Sequence, residues 1–168
     1  QLLNNYLYKG NDLEKECRSI LNTHHHVFDA INNFLPDKCK SLVIGDRLGL
    51  LAMFLTYRNA KRLVTGLFKN ENELKIASNC FSFNKNEQSN LQLMQNDVDY
   101  SNLEYVIICA ELVQLEQEDL NFIVNEAYGK MNDSCSLILA QFKQLPELVE
   151  SEREQVGEDL VIIKKKIG

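Results

Sequence analysis

Residues 45–49, Gly45-Asp46-Arg47-Leu48-Gly49, stand between an apolar run ending in "LVI" and a second apolar run, "LLAMFL". Strand, glycine turn and helix in that order build the place where a nucleotide-type cofactor meets a protein backbone. The glycines bend the chain tightly and leave no Cβ in the ligand's way. Arg47 departs from that pattern, and its guanidinium beside a helix N-terminus gives the turn a second possible chemistry, the binding of an anion. Glu111 follows the apolar run "YVIICA" and is a candidate base, with Cys109 and Ala110 beside it. Asn96 and Asp97 follow "LQLMQ", where they can close a turn through their own side chains.

Other familiar chemistries are missing. His24, His25 and His26 are consecutive, so on a helix they point about 100° apart and do not converge on one ion as residues at i and i+4 would. No metal site is expected, and the three read as surface residues near a helix start, although one of them could face a pocket. There is no G-x-S-x-G elbow, no phosphate-binding G-x-x-x-x-G-K-[ST] loop and no cysteine in an activating context.

Short β-rich runs alternate with helix-period runs along the chain, the pattern of an α/β fold with a mostly parallel sheet and helices on both faces. Strands are expected at Ser41–Ile44, Arg62–Thr65, Leu91–Gln95, Tyr105–Cys109, Ser136–Gln141 and Leu160–Ile167. Helices are expected at Leu13–Leu21, His25–Phe34, Leu48–Thr56, Asn72–Phe81, Gln117–Met131 and Leu145–Gln155. "YVIICA" is apolar throughout and should lie centrally, whereas "DLVIIKKKIG" should lie near an edge, with Lys164-Lys165-Lys166 discouraging further strand pairing. Pro36 ends a helix, and Gly129 reads as a helix-terminal glycine or a late-helix defect. Leu120, Ile123, Val124 and Ala127 form a core-facing stripe at helical spacing, leaving Phe122 and Tyr128 for a partner surface. Residues 1–35 read as an N-terminal helical segment and 36–168 as the α/β unit, one compact domain together.

The chain has 168 residues, 45% of them hydrophobic, with a net charge of −6 and a pI near 5.1. That balance argues against direct contact with nucleic acid or acidic lipid, which are met by clustered Lys and Arg. No apolar run is long enough for a membrane span. Five scattered cysteines without a C-x-x-C pair read as reduced core residues of an intracellular protein, in cytoplasm, nucleus or mitochondrial matrix. The first residue is Gln, as expected of a fragment.

Over roughly residues 25 to 142 the chain resembles the class I S-adenosylmethionine-dependent methyltransferases, nearest to the spermidine-synthase-like, methyltransferase-like branch. The likeness runs through "GDRLGLLAMF", set against a G-x-G-x-G turn with an L-L-P-M-F-like helix, and through "TGLFKNENELKIASNCFSF", set against an acidic E-[LI]-D-P segment followed by A-x-x-x-F-G-F. The resemblance implies a Rossmann-like methyltransferase fold. It places Gly45, Asp46, Arg47, Gly49, Phe68, Asn96, Asp97, Cys109 and Ala110 around the cofactor and Glu111 at the catalytic position. Arg47 then replaces the middle glycine. Gly66-Leu67-Phe68-Lys69 replaces the acidic motif, so Phe68 stands where a carboxylate would accept hydrogen bonds from the ribose hydroxyls. A hydrogen bond to a charged group contributes roughly 1.5–3 kcal/mol, so this loss alone weakens binding about ten- to hundredfold. Glu71 and Glu73 lie close by but fit better as negative charge at a helix N-terminus.

Joint loss of the middle glycine, the ribose carboxylate and a catalytic motif favours a degenerate S-adenosylmethionine site. The expected role is a non-catalytic binding, scaffolding or regulatory subunit whose partner is another protein and which holds no cofactor. Two alternatives stay open. One is an active, divergent methyltransferase of a protein or small amine, with Asn96 or Asp97 and Glu111 serving and Arg47 holding the cofactor carboxylate. The other is a binder of a different anionic ligand at Arg47.

Overall fold

A computed structural model describes residues 13–83, 89–93 and 98–166. In chain order the elements are α1 (Leu13–Phe34), β1 (Lys40–Ile44), α2 (Leu50–Arg58), β2 (Leu63–Phe68), α3 (Glu71–Phe83), β3 (Ser89–Leu93), β4 (Tyr105–Cys109), α4 (Ala110–Val113), α5 (Gln117–Lys130), β5 (Ser136–Ala140), β6 (Ser151–Val156) and β7 (Leu160–Lys165). The strands form one seven-stranded sheet in the order β3-β2-β1-β4-β5-β7-β6. Strands β1 to β5 pair in parallel, and β7 runs antiparallel to both β5 and β6. From β1 the chain steps outward through β2 to β3, then returns to β4 and continues the other way. The β1/β4 junction is therefore the topological switch point, where open α/β sheets bind ligands at the carboxyl ends of their strands.

Alternation along each strand divides the core into two layers. Val43, Ile107 and Ile138 face the layer that takes Val27, Phe28 and Ile31 of α1 and Leu51 and Leu55 of α2. Leu42, Ile44, Val106, Ile108, Leu137 and Leu139 face the opposite layer, closed by Leu120, Val124, Ala127 and Tyr128 of α5. A strand apolar at every position is the consequence, and β4, fourth of seven, is central as its sequence predicts.

Several expectations are corrected. The two short helices expected before Pro36 are one helix of 22 residues, because the polar "NTHHH" stretch still has acceptable helix formers and keeps an apolar face. The helix expected at Leu145–Gln155 is absent. Pro146 and Leu148 are buried in an irregular segment, and Ser151–Val156 forms the edge strand β6, turned back onto β7 through Gly157 at φ +62°. The triple lysine does not guard an edge, since β7 is paired on both sides: Lys164 faces Glu152 across the ladder, and Lys165 Nζ donates to Met131 O at 2.5 Å, capping the carboxyl end of α5. Tyr128 is buried, its hydroxyl 2.7 Å from Val149 O, so of the expected partner-facing pair only Phe122 is exposed. Gly129 lies within α5, one residue before its end. No helix among the described residues is long and apolar enough to cross a membrane.

One buried side chain joins the elements on the α1/α2 layer. Arg62 precedes β2, is 3% exposed, and donates to Pro36 O at 3.1 Å, Leu35 O at 3.1 Å, Leu55 O at 3.1 Å, Asn32 O at 3.0 Å and Asn32 Oδ1 at 2.5 Å. These acceptors are a last-turn carbonyl of α1 with its side-chain amide, the two carbonyls that follow α1, and a late carbonyl of α2, so one cation answers the negative ends of two helix dipoles. Replacing Arg62 with Met takes the guanidinium from these acceptors, of which Leu55 O keeps the Asn59 amide, and should lower unfolding free energy by about 3 kcal/mol or more. Urea unfolding should show a lower midpoint at unchanged slope, with Arg62→Lys recovering only part. A Met variant with the parent's midpoint would show the guanidinium to be dispensable.

Candidate functional site at the carboxyl edge of the sheet

The turn after β1 is shaped by three residues in the left-handed region: Gly45 at φ +77°, Leu48 at φ +54° and Gly49 at φ +72°. Both glycines are required by close approach as well as by φ. A Cβ on Gly45 would lie 2.1 Å from Cγ2 of Val113, and one on Gly49 would lie 2.8 Å from Cε1 of Phe81. Val113 closes α4, just after β4, and Phe81 belongs to α3; both are buried. The near approach that a glycine turn permits is thus made by the chain's own side chains.

Asp46 is buried, and its carboxylate accepts from Leu51 N at 3.0 Å and Ala52 N at 2.9 Å, the first free amides of α2. It therefore occupies the helix N-terminus that would otherwise offer those amides to a ligand anion. Burial pushes its carboxyl up to about 7, against the pull of the Ala52 and Leu51 amides and helped by the charge of Glu73.

Arg47 does not lie free beside this helix end. Its guanidinium pairs with Glu16 of α1, while its Nε is buried without a hydrogen-bond partner among the described residues. Just over two turns further along α1, His24 is buried, with Nδ1 2.9 Å from Nε2 of Gln141 and 3.8 Å from Oε2 of Glu111. Burial holds His24 below its ordinary value of 6.5, more than neighbouring Glu111 raises it, with the charges of His26 and Arg47 adding to the fall. The neutral ring then accepts the amide hydrogen of Gln141 on Nδ1. Glu16, His24, Arg47, Glu111 and Gln141 thus meet across the tips of β1, β4 and β5.

Arg47 and Glu111, singled out by sequence, belong to this constellation. His24, Gln141 and Glu16 were not assigned to it. His24 is mid-helix and inward, while His25 and His26 are exposed, which corrects the reading of all three as surface residues at a helix start. A period reading of α1 would have found it, since His24 shares a face with Cys17, Ile20, Val27 and Phe28. Phe68 ends β2 and is fully buried, and Cys109 is buried at the end of β4 with its thiol pushed well above the usual range by burial. Ala110 opens α4. Asn96 and Asp97 lie outside the described residues. Glu71 and Glu73 occupy the first turn of α3, which Asn70 caps through Oδ1 at 2.9 Å from Glu73 N. No group of three metal-ligating side chains converges among the described residues.

No family model and no curated protein matches the chain. Solved structures do. A TehB-like S-adenosylmethionine-dependent methyltransferase from Corynebacterium glutamicum superposes at TM-score 0.62 with 10% identity, over 91% of this chain and 97% of that one. The mitomycin 7-O-methyltransferase MmcR gives 0.67 at 10% identity, over 94% and 58%. The tRNA methyltransferase TrmK of Bacillus subtilis gives 0.60 at 9%, over 82% and 64%. The chain spans 21% of the length of PKMT2 from Rickettsia typhi, which it matches at TM-score 0.53 with 16% identity over 63% of its own length. The fold is the Rossmann-like methyltransferase fold, and at these identities the likeness concerns the fold.

The buried cap gives a pH dependence of known sign. Asp46 binds its proton more tightly folded than unfolded, so between 3.8 and about 7 the native state holds the extra proton and stability falls as pH rises through that window. The melting temperature of the parent should therefore decline from the acid end of the window to the neutral end. Asp46→Asn keeps one acceptor and cannot titrate, so it should lack this component of the slope; equal slopes in scanning calorimetry would place the carboxyl's proton affinity at its ordinary value.

Proposed function

We propose that the chain is a methyltransferase-fold domain whose S-adenosylmethionine site is degenerate and that it acts as a non-catalytic binding, scaffolding or regulatory subunit. The observation that carries this reading is the filled glycine turn. Val113 occupies the approach to Gly45, Phe81 occupies the approach to Gly49, and the Asp46 carboxylate takes the first amides of α2. Phe68, buried where the ribose carboxylate is expected, adds to it. These residues do not fit the cofactor: its ribose finds no carboxylate at Phe68, and its carboxylate would meet that of Asp46. The spermidine-synthase-like branch rests on the resemblance of the turn and of "TGLFKNENELKIASNCFSF" alone.

The proposed partner is another protein or subunit. Phe122 and Val149, at 67% and 81% exposure, are large apolar side chains left open to one. A net charge of −6 supports the exclusion of nucleic acid and acidic membrane as direct contacts. Buried free thiols at Cys17, Cys39, Cys109 and Cys135 support an intracellular setting.

A second reading, an active and divergent methyltransferase, is favoured by one observation: Glu111 is half exposed at the tip of β4, 3.8 Å from a neutral His24. In that case Glu111 is the residue placed to accept a proton from a substrate. Binding of another anion at Arg47 has less support, because Glu16 already answers the guanidinium charge.

Calorimetric titration with S-adenosylmethionine and S-adenosylhomocysteine separates the first two. The degenerate reading expects no saturable heat up to about 1 mM ligand, whereas micromolar binding, about −8 kcal/mol, overturns it in favour of the enzyme. Phe68→Asp should destabilise the fold by about 3 kcal/mol or more, since it buries an unpaired charge. A variant that melts like the parent and gains cofactor binding would show that Phe68 lines open space instead.

A further inference from the structure

The His24 ring sits where α1 meets the tips of β4 and β5. It projects inward from the middle of α1 beside Phe28 and is 8% exposed. Its Nδ1 lies 2.9 Å from the amide nitrogen of Gln141, just past β5, and 3.8 Å from a carboxylate oxygen of Glu111 in α4. Two further charges face it. Arg47 approaches from the turn after β1, paired with Glu16, and His26 lies on α1 itself, 3.7 Å from Asp159 in the β6–β7 turn.

An amide nitrogen only donates, so the bond from Gln141 exists while Nδ1 keeps its lone pair and the ring proton sits on Nε2. A second proton, on Nδ1, sets two N–H groups against each other at 2.9 Å, and the bond is lost. Glu111 is then the nearest carboxylate, and being half exposed it is free to close the 3.8 Å gap. Turning the Gln141 amide over would offer Oε1 to the ring instead. That move puts the two donors of Nε2 where Oε1 is now buried without a hydrogen-bond partner among the described residues, and so leaves two N–H groups unmet.

Gln141 opens the irregular segment that runs from β5 to β6, and it does so at φ +61°, a left-handed conformation that a non-glycine residue keeps only where its surroundings hold it. The far end of the segment is anchored by the Tyr128 hydroxyl, which donates to Val149 O at 2.7 Å, and its middle by Arg153, which donates to Pro146 O. At the near end the side-chain tie among the described residues is the one from Gln141 to His24. Breaking that bond frees the near end and leaves the far end in place.

We propose that His24 is a proton-controlled latch between α1 and the segment after β5: neutral, it holds Gln141; protonated, it pairs with Glu111 and releases the near end of the segment. Burial keeps the latch closed at neutral pH, because it lowers the proton affinity of the ring from its ordinary value of 6.5 more than Glu111 raises it, and the charges of His26 and Arg47 add to the fall. The folded chain therefore binds this proton less tightly than the unfolded one. The latch is closed above 6.5 and opens as pH falls below it, through the folded midpoint. It does not depend on whether the glycine turn holds a cofactor.

The test is an NMR titration of the whole chain from about pH 8 to about pH 5, reading the ring nitrogens of His24, the side-chain amide of Gln141 and the backbone amides of residues 142–145. The ring should carry its proton on Nε2 at the upper end and take the second with a midpoint below 6.5. At that midpoint the two side-chain protons of Gln141 should converge on the shifts of a free glutamine amide. Hydrogen exchange at residues 142–145, corrected for its intrinsic pH dependence, should quicken about fivefold, as the loss of one hydrogen bond allows. Glu111→Gln, at a half-exposed position, keeps the fold and should lower the midpoint by about 0.5 unit, since it removes the opposite charge. His24→Gln should abolish the response at Gln141 and residues 142–145; if that variant does not fold, Glu111→Gln decides. A midpoint at or above 6.5, a midpoint unmoved by Glu111→Gln, or a response that survives His24→Gln overturns the latch. So do Gln141 side-chain protons that stay dispersed after the ring is charged, which would show the amide turned over and still bound.

Discussion

Burying a guanidinium at Arg62 is the constraint from which the geometry of this fold proceeds. A cation removed from water must find oxygen on every side, and here the oxygens come from the carboxyl ends of α1 and α2 and from the Pro36 turn. Meeting that demand sets where both helices stop and how close they lie over β2. Since α2 is rigid, fixing its carboxyl end also fixes its amino end, where Asp46 and the glycine turn sit. The two ends of α2 are held by opposite charges, a carboxylate at the positive pole and a guanidinium at the negative one, each in the sense the helix dipole favours.

The same economy of space explains the turn itself. Glycine is needed at residues 45 and 49 whether a ligand or a side chain makes the close approach, so the glycines alone do not distinguish a working site from a filled one. What distinguishes them is the identity of the neighbours. Val113 on the far side of the switch point and Phe81 on α3 are hydrocarbon, and Phe68 at the end of β2 is hydrocarbon too. The polar groups that remain at the edge, from Glu16 to Gln141, pair chiefly with one another.

Much of the fold was legible because it rests on local patterns. "YVIIC" and "SLILA" are continuous apolar runs bounded by turns, and the five parallel strands were placed within a few residues. The hairpin was missed because "ELVESEREQV" carries apolar residues at near-helical spacing and is rich in Glu, a good helix former. Its strand character comes from pairing with β7, and the readable clue was Gly157 in a short polar connection between two β-capable runs. The turn's composition was legible, but its neighbours were not: Val113 lies 68 residues from Gly45, and only the sheet order brings them together. Arg62 and His24 were overlooked for a related reason, since a charged or titratable side chain in a chain this acidic reads as surface until its acceptors are known.

The place of β7 between β5 and β6 has a consequence for how the molecule opens. Strands β1 and β4 are paired on both sides with partners distant in sequence, so exposing their amides requires the parallel sheet as a whole to come apart. Strand β6 has a neighbour on one side only, reached through a hairpin of a few residues, and its outward side chains are mostly solvated. Its ladder can open without breaking the pairing of any other two strands. The sheet is therefore graded in its local opening free energy, firmest at β1 and β4 and loosest at β6.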